Sequence, residues 1–129
     1  MRVLVDSHVF VWTLLKDRRI SPAAKRILFS DEHELFFSIV SLWELSIAIR
    51  SGRLSDLTSS SIALVHDQLA DFGITLLPLR YHDLLATEHL DPHHRDPFDR
   101  LLIAQAIANS LTLLTGDAAI KRYPVRTAW

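Results

Sequence analysis

Five acidic residues stand where buried strands should end or helices should begin: Asp6, Glu44, Asp96, Asp99 and Asp117. Carboxylates crowded into one partly desolvated pocket repel one another, so at neutral pH either some take up protons or a cation compensates. An all-oxygen set favours a hard divalent ion, Mg²⁺ or Mn²⁺, that keeps several waters and leaves room for phosphate oxygens. Such an ion lowers the pKa of a bound water and offsets charge on the transition state, which makes phosphodiester hydrolysis the natural chemistry. The competing use of these acids is local. In Asp96-Pro97-Phe98-Asp99, Asp96 is expected to cap a helix that begins at Pro97 and carries Asp99 in its first turn. Ser41-Leu42-Trp43-Glu44 fits a capping box that would tie Glu44 to the backbone, and Asp6 and Asp117 could each cap a following helix.

The elements that must carry these acids alternate along the chain. Val3 to Val5 is a short apolar run suited to a strand buried on both faces, ended by Asp6 and followed by a helix from Val9 to Leu15. Ser7 and His8 could assist at a site or merely cap. Ser21-Pro22 predicts a helix through Phe29, and Leu35 to Ile39 a second strand. The helix opened at Ser41 should close with Arg50 in its last turn and Gly52 beyond it. Leu54 to Ser61, rich in Ser and Thr, reads as a loop. Ile62 to Phe72 is helical, Ile74 to Leu77 a third strand and Tyr81 to Leu90 a helix. After the helix opened by Asp99 come a fourth strand over Leu111 to Leu114, a short helix toward Arg122, and a last strand or edge from Val125 to Trp129. This alternation implies an α/β fold with a parallel sheet between helical layers, in which the carboxyl ends of the strands share one edge. Ligands bind at that edge in open α/β sheets.

Composition narrows the options further. With 129 residues, 49% of them hydrophobic, and no repeat or linker, the chain is expected to form one domain over 1–129 with a substantial core. A formal net charge of −1, from 14 basic and 15 acidic residues, provides no global field for a polyanion, so nucleic-acid contact would have to be local. Arg95, Arg100, Lys121 and Arg122 flank the acidic motifs and could position phosphates or simply pair with neighbouring acids. The absence of cysteine excludes disulfides, thiolate metal sites and a Cys nucleophile. His93-His94 lacks a third nitrogen or sulfur ligand at usable spacing and reads as loop. No signal peptide or bilayer-spanning run is apparent, so a soluble cytoplasmic protein without a membrane partner is expected.

Val3-Leu4-Val5-Asp6-Ser7-His8, Ser41-Leu42-Trp43-Glu44-Leu45, the segment from His94 to Ala106, and Leu113-Leu114-Thr115-Gly116-Asp117 are each weak signals alone. In this order and spacing they resemble the PIN-domain family, and within it the VapC-type toxins of bacterial toxin–antitoxin pairs. The resemblance implies a three-layer α/β/α fold around a mostly parallel five-stranded sheet, with strands ordered third, second, first, fourth, fifth. Asp6 and Asp117 would then sit side by side, with Glu44 and Asp99 approaching the same edge. It further implies that Asp6, Glu44, Asp99 and Asp117 form the catalytic, metal-binding quartet and that Thr115 is the hydroxyl residue preceding its last member. Asp96 could be a ligand, an outer acid or only the cap, and ranks below Asp99. Ser7 stands where many relatives have Thr. The implied activity is that of a Mg²⁺- or Mn²⁺-dependent endoribonuclease acting on RNA such as tRNA or rRNA. The implied partners are a cognate VapB-like antitoxin that inhibits it and a second copy in a homodimer. Two alternatives differ in class. A receiver-like domain needs adjacent acids after the first strand, an Asp after the third and a Lys after the fifth, where this chain has a single Asp6, then Pro78-Leu79, and no such Lys. A noncatalytic α/β partner-binding module would use every acid as a helix cap.

Overall fold

The computed structural model describes residues 1–54, 61–93 and 95–129. Most of the loop expected between Leu54 and Ser61 lies outside the described residues, as does His94. The elements are β1 (Arg2–Val5), α1 (Ser7–Leu14), α2 (Pro22–Leu28), β2 (Glu34–Ser38), α3 (Ile39–Arg50), α4 (Ile62–Asp71), β3 (Thr75–Leu77), α5 (Tyr81–Thr87), α6 (Pro97–Ala108), β4 (Thr112–Leu114), a 3-10 turn over Ile120–Arg122, and β5 (Thr127–Ala128).

The strands form one sheet in the order β3-β2-β1-β4-β5, and every pairing is parallel. β1 is central, and its Val3, Leu4 and Val5 are wholly buried, as a strand covered on both faces requires. Side chains alternate across the sheet with period two. Val3, Val5, Leu35, Phe37 and Leu114 face one layer, against Val9 and Phe10 of α1, Leu42 and Leu45 of α3, and Val65 and Leu69 of α4. Leu4, Phe36 and Leu113 face the other, against Leu102, Ile103 and Ala106 of α6. Burying each of the larger side chains contributes roughly 2 kcal/mol, so both helical layers are held to the sheet by non-directional apolar contact.

Local chemistry sets most helix ends. Ser21 Oγ accepts the Ala24 N–H at 2.9 Å, with Pro22 opening α2. Gly52 and Gly73 take φ of 75° and 68° just beyond α3 and α4, a left-handed turn that glycine adopts without a Cβ clash. The start of α3 departs from the sequence expectation. Its N-cap is Ser38, whose Oγ accepts the Val40 N–H at 3.0 Å, so Ser41 lies inside the first turn and the Ser41–Glu44 capping box does not form. Ile39 and Val40 suit a strand or a helix equally, and the hydroxyl that satisfies a free N–H decides the boundary. Helix α5 also ends early, at Thr87, with the chain toward Leu90 wound into turns by a Leu90 N–H to Thr87 O bond of 3.2 Å.

Candidate active site

Three polar residues lie in one row at the carboxyl edge of the sheet. Asp6 follows β1, Ser38 ends β2 and Thr115 follows β4, and the pairings Val5 with Phe37 and Val5 with Leu114 set them side by side. By the alternation of the strands all three share the face of Leu4, Phe36 and Leu113, toward α6. Each is 0% exposed. Buried polar groups require partners, and Asp6 has several. It occupies the N-cap position of α1, yet its side chain makes no capping bond. Instead its Oδ2 accepts from Thr115 Oγ1 at 2.7 Å and lies 3.2 Å from His8 Nε2.

Glu44 approaches from α3. The Ser7 hydroxyl donates to Glu44 Oε1 at 2.6 Å and sits 3.5 Å from Asp6 Oδ1, so one serine joins the two acids. Burial pushes the Glu44 carboxyl above the usual carboxylate range; the Ser7 bond opposes this, and the charges of Asp96 and Asp6 reinforce it. From α6 come the other two acids. Asp96 is the N-cap, its Oδ1 accepting the Phe98 N–H at 2.9 Å and the Asp99 N–H at 3.4 Å, and Asp99 is buried in the first turn. One oxygen from each of Glu44, Asp96 and Asp99 lies within 4.8 Å of the other two. Oxygens on opposite sides of a Mg²⁺ ion are about 4.2 Å apart, so this set can close around one ion with small side-chain movement.

Among the described residues, the structure therefore gathers Glu44, Asp96 and Asp99 into one acid cluster and sets Asp6 beside them through Ser7. Asp117 stands apart from that cluster. Its Oδ1 accepts the Ala119 N–H at 2.9 Å and its own N–H donates to Thr115 Oγ1 at 3.1 Å, and the same Thr115 hydroxyl donates to Asp6 Oδ2. Arg100 donates to the carbonyls of Asp91 and Leu90, at 2.9 and 3.3 Å, and thereby secures the start of α6, while Arg95, Lys121 and Arg122 are exposed.

Two contacts at the site have no counterpart in the sequence pattern. The hydrogen bond from His8 to Asp6 raises the imidazole to about 8; burial opposes the rise, and the charges of Asp6, Asp99 and Glu44 add to it. Its signal was its place two residues beyond the acid at a strand end. Trp43, directly before Glu44, is 62% exposed and packs edge-on against Phe98, directly before Asp99, with ring centroids 5.2 Å apart. Trp12, by contrast, is partly buried against the core, with the Arg19 guanidinium 4.4 Å above its ring.

The profile of the PIN domain matches residues 3–125. No curated protein matches the chain. Among solved structures, VapBC2 from Rickettsia felis bound to a DNA fragment from its promoter is similar with a TM-score of 0.74 and 14% identity, over 99% of this chain and 98% of that one. VapBC-1 from nontypeable Haemophilus influenzae gives 0.68 at 14% identity, covering 99% and 97%. FitAcB from Neisseria gonorrhoeae gives 0.61 at 18%, covering 97% and 95%. At such identities the likeness is one of fold.

Proposed function

The chain belongs to the PIN-domain family, and from that premise we propose that it is a Mg²⁺- or Mn²⁺-dependent endoribonuclease, the toxin of a toxin–antitoxin pair. The observation that carries this reading is the convergence of Glu44, Asp96 and Asp99 within 4.8 Å, at the sheet edge where Asp6 is buried. Bound there, a divalent ion would supply a water of lowered pKa and compensate charge developing on a phosphodiester. Glu44, Asp96 and Asp99 are the residues that would hold it, with Asp6 alongside and Asp117 completing the catalytic set.

The chain's own groups perform the positioning. Thr115 fixes Asp6 by donating to Oδ2, and Ser7 fixes Glu44 by donating to Oε1, so two hydroxyls orient the carboxylates that face the reaction. The first turn of α6 presents Asp96 and Asp99 together, with the positive end of the helix dipole beneath them. Arg95, Lys121 and Arg122 would neutralise RNA phosphates locally, as a chain with a net charge of −1 requires. The inhibitory partner would be a VapB-like antitoxin, since a protein of this fold has been solved as a member of the VapBC family of toxin-antitoxin systems. The active form would be a cytoplasmic homodimer; no helix among the described residues is long and apolar enough to cross a membrane.

The noncatalytic reading, in which the acids are caps, draws on Asp96 and Asp117, both of which accept backbone N–H bonds. Asp6 and Glu44 weigh against it: the Asp6 side chain makes no capping bond from its N-cap position, and Glu44 lies inside α3, which Ser38 caps. The deciding test is cleavage of a total small-RNA pool, tRNA and rRNA fragments included, with Mg²⁺ or Mn²⁺, with EDTA, and with Asp99→Asn. Discrete products that disappear in EDTA and in the variant are expected. Wild type as inert as the variant in both metals would turn the search to binding partners.

A further inference from the structure

We propose that Gln105 is a positioning residue for the acid cluster: its buried amide ties α6 to the hydroxyl that caps α3, and so sets the spacing at which Glu44 meets Asp96 and Asp99. The inference rests on the cation-binding reading above. Ser38, at the end of β2, and Gln105, within α6, are both wholly buried. Ser38 Oγ accepts the Val40 N–H and donates to Gln105 Oε1. The other end of the same amide donates to the Pro78 carbonyl at 3.2 Å and lies 3.5 Å from Asp83 Oδ2. Asp83 is 1% exposed, and its carboxylate accepts from the Arg80 N–H at 2.8 Å and Asn109 Nδ2 at 3.0 Å. One amide thus joins the start of α3, the connection from β3 to α5, and α6.

Both helices that supply the acids pass through this joint. Glu44 lies less than two turns beyond Ser38 on α3, and Asp99 less than two turns before Gln105 on α6, about 9 Å along each axis. Apolar packing holds the helices together without specifying one register, whereas a hydrogen-bonded amide has a defined length and direction. A shift at the joint is carried along two stiff helices to the carboxylates. Groups that orient ligands without touching the ion typically tune metal affinity by roughly 10- to 100-fold, which is the effect expected here.

The test uses Mn²⁺ alone as the probe, titrated calorimetrically into the purified full chain, with thermal melts in EDTA as a separate record of fold stability. Gln105→Leu and Ser38→Ala should each weaken Mn²⁺ binding by about tenfold or more, and Ser38→Thr, which keeps the hydroxyl, should retain it. The two losses should be less than additive in the double variant, because the Ser38–Gln105 bond is common to both changes. Should Gln105→Leu fail to fold, Ser38→Ala and Ser38→Thr still carry the test. Folded variants with lowered melting temperatures and wild-type Mn²⁺ affinity would overturn the positioning role alone. Wild type that takes up no Mn²⁺ would overturn the cation reading, and this inference with it.

Discussion

Helix α6 carries two polar clusters, one buried around Gln105 and Asp83 and one half-buried around Asp96 and Asp99, and they are built on opposite principles. Toward its carboxyl end, Gln105 and Asn109 meet Ser38, Asp83 and the Pro78 carbonyl, and donors face acceptors throughout. At its amino end, Asp96 and Asp99 meet Glu44, and carboxylate faces carboxylate. A network whose members satisfy one another rigidifies a fold. A cluster of like charge holds together only where protons or a cation join it. One helix therefore carries a closed joint and, less than two turns away, a cluster that calls for protons or a cation.

The contrast predicts that conservative changes in the two clusters move opposite properties. If the proposed function holds, Glu44→Gln should reduce metal-dependent RNA cleavage on the order of 10²-fold or more, since several kcal/mol of transition-state stabilisation would depend on the ion that Glu44 is proposed to hold. The same change should leave metal-free stability intact or improve it. A carboxyl whose folded pKa stands above its unfolded value opposes folding when ionised, and the opposition fades as pH falls through the folded pKa. The neutral amide removes that opposition and can still accept from Ser7. Thermal melts in EDTA at neutral pH, set beside initial cleavage rates in Mn²⁺, check both halves. A variant both inactive and clearly destabilised would break the comparison.

Asp83→Ala should do the reverse. It strips the acceptor from Asn109 and from the Arg80 N–H around a carboxylate that is itself 1% exposed, and leaving such partly buried donors unpaired costs about 1 kcal/mol or more. Urea unfolding should show a lowered midpoint at unchanged slope, with residual activity in proportion to the folded fraction. An unchanged midpoint would mean that the joint contributes nothing to stability and would blur the distinction between the two ends of α6.

How much of this could be read beforehand depends on the range of the signal. Asp96 as N-cap, Pro97 as first helical residue and Asp99 in the first turn are local facts of backbone geometry, and the structure has them so. Whether Asp96 also joins Glu44 and Asp99 or only caps α6 stayed open in the sequence, because a capping carboxylate and a ligating one have the same sequence context. Ser41–Glu44 misled for the same reason: a capping motif matches by spacing, and Ser38 competes for the role from just upstream, across residues that suit strand and helix alike. Strand alternation pointed to the parallel α/β sheet, whereas the order β3-β2-β1-β4-β5 came from the family resemblance and not from periodicity. The Ser38–Gln105 bond spans 67 residues, and no local pattern marks either partner. Glutamine on an apolar helix face reads only as an interruption.

The smallest effect expected concerns His8, which belongs to the charged end of the contrast. In EDTA-treated protein its imidazole should titrate near 8, observed by NMR as the ring proton shifts with pH, and Asp6→Asn should return it toward its ordinary 6.5. The sign follows from which form the fold prefers. Because the folded value is raised, the His8–Asp6 contact supports folding fully below the ordinary pKa and loses that support as pH rises through about 8. The side chain is 39% exposed, so solvent screens the contact and the change in stability across that window should be slight. A bound divalent ion offers Asp6 a competing positive charge, so adding Mn²⁺ or Mg²⁺ should pull the His8 titration down. A titration that stays near 8 with metal present would separate Asp6 from the ion and leave Glu44, Asp96 and Asp99 to hold it without that acid.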